Sequence, residues 1–268
     1  MSTVFKALQL MDLFTRLRPQ IGLSDLARLA GLNKATCFRL ISDLCAAGLA
    51  EQVEPSREYR LGPASLRFAA LREANVPLRD SAQPVLQALA TETGETTHVS
   101  LLVGGEVRPL AHAYSAAHAS RITIEEVQIF PFHATSSGLA VLAYQPAVFR
   151  EAVLERPMQQ LTALTETSPA EIRSRLNGIL QQGYAESRGT FESDVHSLAV
   201  PLFDALGRCT GALSTAALAS RMTPGLAQQI RAAQIRSARQ IIALWGGSLP
   251  LKLDNLWAKG ETLAQEPT

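Results

Sequence analysis

Apolar positions recur at intervals of three and four over residues 3–17, where Val4, Leu8, Met11 and Phe14 would share one side of a helix. A breaker, Arg18-Pro19-Gln20-Ile21-Gly22, follows. Residues 23–30 then predict a second helix of about two turns, with Ser24 as N-cap and Gly31 just past its end. Beyond the turn Gly31-Leu32-Asn33, residues 34–44 set Cys37, Leu40, Ile41 and Leu44 on one face and Lys34, Thr36, Phe38, Arg39 and Ser42 on the other. Two helices around a short glycine-containing turn follow the helix-turn-helix plan, in which the second helix enters the DNA major groove and its first residues reach the bases. Two short strands, residues 48–53 and 59–62, flank a polar turn and predict a wing, with Arg57 and Arg60 near the phosphate backbone. The candidate DNA contacts are Ser24, Asn33, Lys34, Ala35, Thr36, Phe38, Arg39 and Ser42 from the helices, with Arg57, Tyr59 and Arg60 from the wing. Asn33 either caps the third helix or meets a base, and an exposed Phe38 would touch a thymine methyl.

The pattern changes further on. Residues 64–75 mix small, apolar and charged positions at helical spacing and read as a connecting helix ended by Val76-Pro77. A helix over 81–93 closes at Gly94, and residues 96–103 run as a β-branched strand into a Gly104-Gly105 turn and a partner strand through Leu110. Strands are predicted again at 121–126, 197–203 and 209–216, the last two joined by the tight turn Asp204-Ala205-Leu206-Gly207; helices fall at 137–144, 146–154, 169–182 and 224–245. An antiparallel sheet with helices packed outside it is an α+β plan. The resulting division is a DNA-reading domain over 1–63, a linker helix over 64–77, a second domain over 78–248 and a tail over 249–268, which either stays disordered or packs a short segment around Leu253 and Trp257.

Length and charge sharpen this picture. A chain of 268 residues exceeds the usual size of one domain. Net charge is +1, but residues 1–75 hold 10 Lys/Arg against 7 Asp/Glu and the remainder 15 against 17, so the excess positive charge lies in the predicted DNA reader. No apolar stretch approaches the roughly 18 residues of a membrane helix, and the start lacks the features of a signal peptide, which predicts a cytoplasmic protein. Cys37, Cys45 and Cys209 are an odd number without CxxC spacing, so they read as small buried hydrophobes rather than a disulfide framework or zinc site. No glycine-rich nucleotide loop and no catalytic triad is legible, and no cofactor or metal is expected.

The run LSDLARLAGLNKATCFRLISDLCAAGLAEQVEPSREYRLGP is similar to the winged-helix domain of the IclR family of regulators, above all in the third-helix core, the following Gly-Leu and a wing ending Tyr-Arg-Leu-Gly. Where the family often carries Pro-Lys-Ser-Thr this chain has Asn33-Lys34-Ala35-Thr36, so helix capping and the operator sequence read would differ. Residues 130–143, FPFHATSSGLAVLA, resemble the Pro-x-His-Ala-Thr-x-x-Gly-x-x-x-Leu-Ala signature of the family's GAF-like effector domain. Gly183-Tyr184-Ala185 and the segments around 198–204, 207 and 211–214 extend the resemblance over about residues 3–246.

By that resemblance the chain is a ligand-responsive transcriptional regulator of a catabolic operon, working as a homodimer or homotetramer on palindromic double-stranded operator DNA and sensing a small organic acid or aromatic metabolite. The resemblance bounds the effector cavity with Ala119, Ile122, Phe130, Ser136, Ser137, Gly138, Ser187, Val195, Ser197, Ser214 and Ala216. Thr135-Ser136-Ser137-Gly138 opens a helix, and the unpaired amides, hydroxyls and positive dipole end there suit a carboxylate, although an ordinary Ser/Thr cap would look the same. Family members commonly carry acidic residues and a glycine between the Gly-Tyr-Ala and Ala-x-Pro motifs; here residues 186–196 read ESRGTFESDVH, a departure in a segment expected to line the cavity. Arg121, His133, Arg188 and His196 are the side chains that could supply charge to an acidic effector, or else serve structure. Two rival readings are a DNA-binding protein whose second domain only oligomerises, and a small-metabolite enzyme using Cys209, His133 or His196, for which no nucleophile and base are paired by spacing.

Overall fold

The structure is a computed structural model describing residues 2–15, 18–75, 77–125 and 128–263. The chain divides into two compact units, Met1–Pro77 and Leu78–Thr268.

The first unit is an α+β assembly of α1 (Thr3–Asp12), α2 (Leu23–Leu29), α3 (Lys34–Ala46), β1 (Ala50–Val53), β2 (Glu58–Leu61) and α4 (Ala64–Asn75). Helix α1 stops well short of residue 17. Thr15 and Arg18 pair as an isolated bridge, the Thr15 hydroxyl also accepting the Arg18 N–H at 3.1 Å, and Pro19 disfavours helical geometry at Arg18; Arg16 and Leu17 lie outside the described residues. Its inward stripe also differs from expectation: Leu10 is buried and Ala7, Met11 and Phe14 pack beside it, while Val4, Phe5 and Leu8 are exposed. In α3 the predicted stripe holds, with Cys37, Leu40, Ile41 and Leu44 all buried. Strands β1 and β2 pair antiparallel in the register Ala50↔Leu61 to Val53↔Glu58, and Ile21 adds a bridge to Tyr59 through two backbone hydrogen bonds of 2.9 Å. Gly62 closes the hairpin base where any Cβ would lie 2.3 Å from the Gly48 carbonyl oxygen.

The second unit holds α5 (Leu78–Thr93), β3 (Thr96–Val103), β4 (Glu106–Ala113), α6 (Ser136–Ala143), α7 (Ala147–Leu154), α8 (Pro169–Gln182), β5 (Ala185–Arg188), β6 (Val195–Phe203), β7 (Cys209–Leu218), α9 (Pro224–Leu244) and α10 (Leu251–Leu263). Its five-stranded antiparallel sheet runs β4-β3-β7-β6-β5. Because side chains alternate across a sheet, β3, β6 and β7 serve two different layers. Toward α5 and α9, Thr97 Oγ1 donates to the Leu86 carbonyl at 3.0 Å and the buried Gln234 amide donates to Thr215 Oγ1 at 3.0 Å. Toward α6, the sheet presents His98, Ser197 and Ser214.

Two segments depart from the sequence reading. Residues 121–125 form no strand: the Ile122 carbonyl accepts from Thr96 Oγ1 at 2.7 Å and the Ile124 N–H donates to Tyr114 Oη at 3.1 Å, so side chains take the place of a ladder. Glu126, at the end of that expected strand, lies outside the described residues, as does Val76 at the end of the connecting helix. Strand β5 was not foreseen. The tail forms α10, which buries Leu253 and Trp257; the Trp257 indole donates to the Gly183 carbonyl at 3.0 Å. The other tryptophan, half-buried Trp245 at the end of α9, donates to Ser81 Oγ at 3.0 Å. No helix of the described residues is long and apolar enough to cross a membrane.

Candidate functional site

In the first unit, α3 turns one face to the core and leaves the other to solvent. Asn33 caps it, its Oδ1 accepting the Thr36 N–H at 2.8 Å. That bond commits the side-chain oxygen and leaves the amide NH2 for other partners. Lys34, Ala35, Phe38 and Arg39 are exposed and Thr36 and Ser42 half-buried, so the six expected positions form one outward surface with Phe38 53 % exposed at its middle. Neither Lys34 nor Arg39 has an ion-pair partner among the described residues. Ser24 is exposed but is not an N-cap: α2 starts a residue earlier, with Gly22 in the cap position and no side-chain cap bond. At the wing, Arg57 is exposed with φ of 57°, a left-handed conformation costly for a residue with a Cβ. Arg60 is exposed and pairs with Glu51 at 2.5 Å. Tyr59, expected at the surface, is buried at the wing root, because its backbone bridge to Ile21 draws it into the core.

In the second unit, a cavity of about 40 Å³ opens between the sheet, the start of α6 and the segments 122–124, 128–130 and 187–197. Nine of the expected residues line it: Ile122, Phe130, Ser136, Ser137, Ser187, Val195, Ser197, Ser214 and Ala216. Two do not. Ala119 lies in an exposed loop. Gly138 lies beneath the cavity wall, where a Cβ would come 2.4 Å from the Pro131 carbonyl oxygen and 2.7 Å from Phe132 Cα, so its role is to let α6 pack against the preceding chain. The segment whose sequence departs from the family pattern therefore contributes Ser187, Phe191, Glu192 and Val195 to the lining.

Hydroxyls dominate the inner end. Ser136 Oγ lies 2.8 Å from Ser197 Oγ and 3.1 Å from Ser214 Oγ, and Ser187 Oγ donates to the Ala134 carbonyl at 3.0 Å. Thr135 caps α6 by accepting the Gly138 N–H at 2.9 Å, which leaves the Ser136 and Ser137 amides without partners inside the helix, at the positive end of its dipole. His98, missed in the sequence, completes this end: Nε2 lies 3.2 Å from Ser137 Oγ, the ring packs 5.1 Å from that of Phe130, and the buried Nδ1 has no partner. Burial, and secondarily His112, lowers its pKa to about 3, so the ring is neutral near pH 7. Only register reveals His98, since it stands opposite Ser214 on the neighbouring strand.

Of the four side chains that could supply positive charge or else serve structure, none lines the cavity. Arg121 lies over the Tyr114 ring at 4.6 Å, and His133 Nε2 donates to the Gln159 carbonyl at 2.9 Å. Arg188 and His196 both engage Glu186, at 2.8 and 2.6 Å, on the opposite face of β5 and β6 from Ser187 and Ser197. Among the described residues the lining holds no Lys or Arg, and its one carboxylate is Glu192, exposed at the mouth. Cys209 is buried, and burial pushes its thiol pKa up to about 12, which leaves no thiolate for nucleophilic chemistry. No cluster of potential metal ligands occurs among the described residues.

Comparison with known proteins finds matches to both units of the chain. A model of the IclR helix-turn-helix domain matches residues 3–54, and a model of the bacterial transcriptional regulator IclR C-terminal domain matches residues 70–243. The HTH-type transcriptional regulator XynR of Escherichia coli is 30 % identical over 226 residues, 82 % of this chain and 87 % of that protein. BhcR of Paracoccus denitrificans, another HTH-type regulator, is 26 % identical over 244 residues, 88 % of this chain and 84 % of its own. A crystal structure of an IclR-type regulator from Silicibacter sp. TM1040 superposes with a TM-score of 0.88 at 47 % identity, covering 94 % of this chain and 99 % of that one.

Proposed function

Because the chain belongs to the IclR family of DNA-binding transcriptional regulators, which are not enzymes, we propose that it is a cytoplasmic, homo-oligomeric regulator whose affinity for a palindromic operator is set by a compact organic acid. The observation that carries the sensor half of this reading is the cavity at the α6 N-terminus, where amides, hydroxyls and a positive dipole end converge. Its size favours a molecule of few non-hydrogen atoms over a large aromatic.

The DNA half rests on the outward face of α3. Lys34 and Arg39 flank the exposed Phe38 near the start of that helix, and Arg57 and Arg60 on the wing supply phosphate contacts, which orient the protein without reading sequence. One such head buries little surface, so two copies reading half-sites about one helical turn apart give the affinity a regulator needs. Relatives that regulate operons, among them the Pca operon regulatory protein of Acinetobacter baylyi at 27 % identity, favour control of a catabolic operon. The effector acts by preferring one arrangement of the DNA heads over another, since a ligand without differential affinity shifts nothing.

A genomic-fragment selection with the purified protein, repeated with Arg39→Ala, tests the reading. The expected outcome is one recovered palindromic promoter site that the variant fails to retain. Retention of that site by Arg39→Ala with unchanged affinity would remove α3 from the reading role, and an operator affinity indifferent to every compound of a small-metabolite panel would leave a DNA-binding protein without a sensor.

A further inference from the structure

The charge layout of the cavity narrows its ligand, on the premise that the cavity is the sensor. Its inner end offers the Ser136 and Ser137 amides and a positive dipole end, a fit for a carboxylate. A plain organic acid would find nothing to match at the outer end, where the described lining has no Lys or Arg and the mouth carries Glu192. Desolvation, and behind it the charges of Asp194 and Glu125, raise the Glu192 pKa, so the negative charges of these three carboxylates act on one another beside the mouth that Glu192 lines. None of the three has a cationic partner among the described residues. This entrance repels a dianion and attracts a positive group.

The second pointer to a ligand is His98. Its Nδ1 is buried and unpartnered although the residue, 4 % exposed, lines the cavity. A buried polar atom without a partner is destabilising unless something enters to meet it. Being neutral, the ring serves a ligand as a hydrogen-bonding group and not as a cation.

We propose that the ligand is a small amino acid, a zwitterion whose carboxylate sits at the start of α6 and whose protonated amine faces Glu192. The distribution needs both charges: an acid without an amine leaves Glu192 unmatched, and an amine without an acid leaves the helix end unmatched. The small volume restricts the frame to a few carbons.

Isothermal titration of the full-length protein with glycine and L-alanine, each against its amine-free counterpart glycolate and L-lactate, tests this. At least one amino acid should bind about tenfold more tightly than its hydroxy partner, as a charge-assisted hydrogen bond supplies. Glu192→Gln should erase that advantage without changing the circular dichroism spectrum, since Glu192 is exposed. Equal binding of the hydroxy acids, an advantage that survives Glu192→Gln, or no binding of either amino acid overturns the zwitterion. Operator binding separates the two claims: a response to glycolate or L-lactate alone keeps the sensor and removes the zwitterion, whereas no response to any metabolite removes the sensor.

Discussion

Two residues hold conformations or protonation states that carry a cost. Arg57 is the non-glycine residue with positive φ among the described residues, and it stands at the tip of the wing. Glycine would adopt that geometry without steric cost, so an arginine there points to a use for its side chain. Arg57→Gly should raise the stability of the first unit by up to about 1 kcal/mol while weakening DNA binding; denaturant titration and the salt dependence of operator affinity, whose slope should shrink by about one, are the readouts. His98 offers a pH test. Unfolded, it takes up a proton near its ordinary value of 6.5; folded, only at about 3. Between those values the unfolded chain binds more protons, so the stabilisation, complete above 6.5, is lost progressively as pH falls toward 3. Thermal melts from pH 7 to pH 5 should fall less steeply for His98→Gln than for the wild type, and parallel slopes would show that His98 is not held neutral.

At the scale of elements, the helices announce themselves and the sheet's far edge does not. Helix α3 was legible because its buried Cys37, Leu40, Ile41 and Leu44 keep a helical period against a polar face, and the β3–β4 hairpin because Gly104-Gly105 punctuates β-branched residues. Strand β5 was not, since Ala185-Glu186-Ser187-Arg188 has weak strand propensity and exists by pairing with β6. The cavity's hydroxyl floor was reached through family resemblance, whereas His98 and Glu192 needed the register and the third dimension. Helix α10 was half legible: Leu253 and Trp257 marked a packed segment, but its anchor is Gly183, over 70 positions earlier in sequence. At φ of 80°, Gly183 ends α8, and a Cβ there would come 2.8 Å from the Trp257 indole nitrogen. Trp257→Ala should therefore cost about 3–5 kcal/mol, measurable by urea denaturation of the full-length chain; a loss under about 1 kcal/mol would mean α10 does not hold the second unit together.

For the whole molecule, the division of labour shows in charge. The half with a positive excess carries exposed Lys34, Arg39 and Arg57, and the half with a negative excess carries an acidic cavity mouth. Each unit has its own buried core, one around Leu40 and Ile41 and the other around the five-stranded sheet and its helices. The placement of the two tryptophans then has an optical consequence. Both Trp245 and Trp257 belong to the second unit, and the sequence holds no others. Intrinsic emission excited at the red edge is thus a built-in dye for the second unit and blind to the first, whereas far-ultraviolet dichroism sees the helices of both. If the units melt independently, the two signals should trace non-coincident transitions in urea; superimposable curves would mean that the halves lose their structure together.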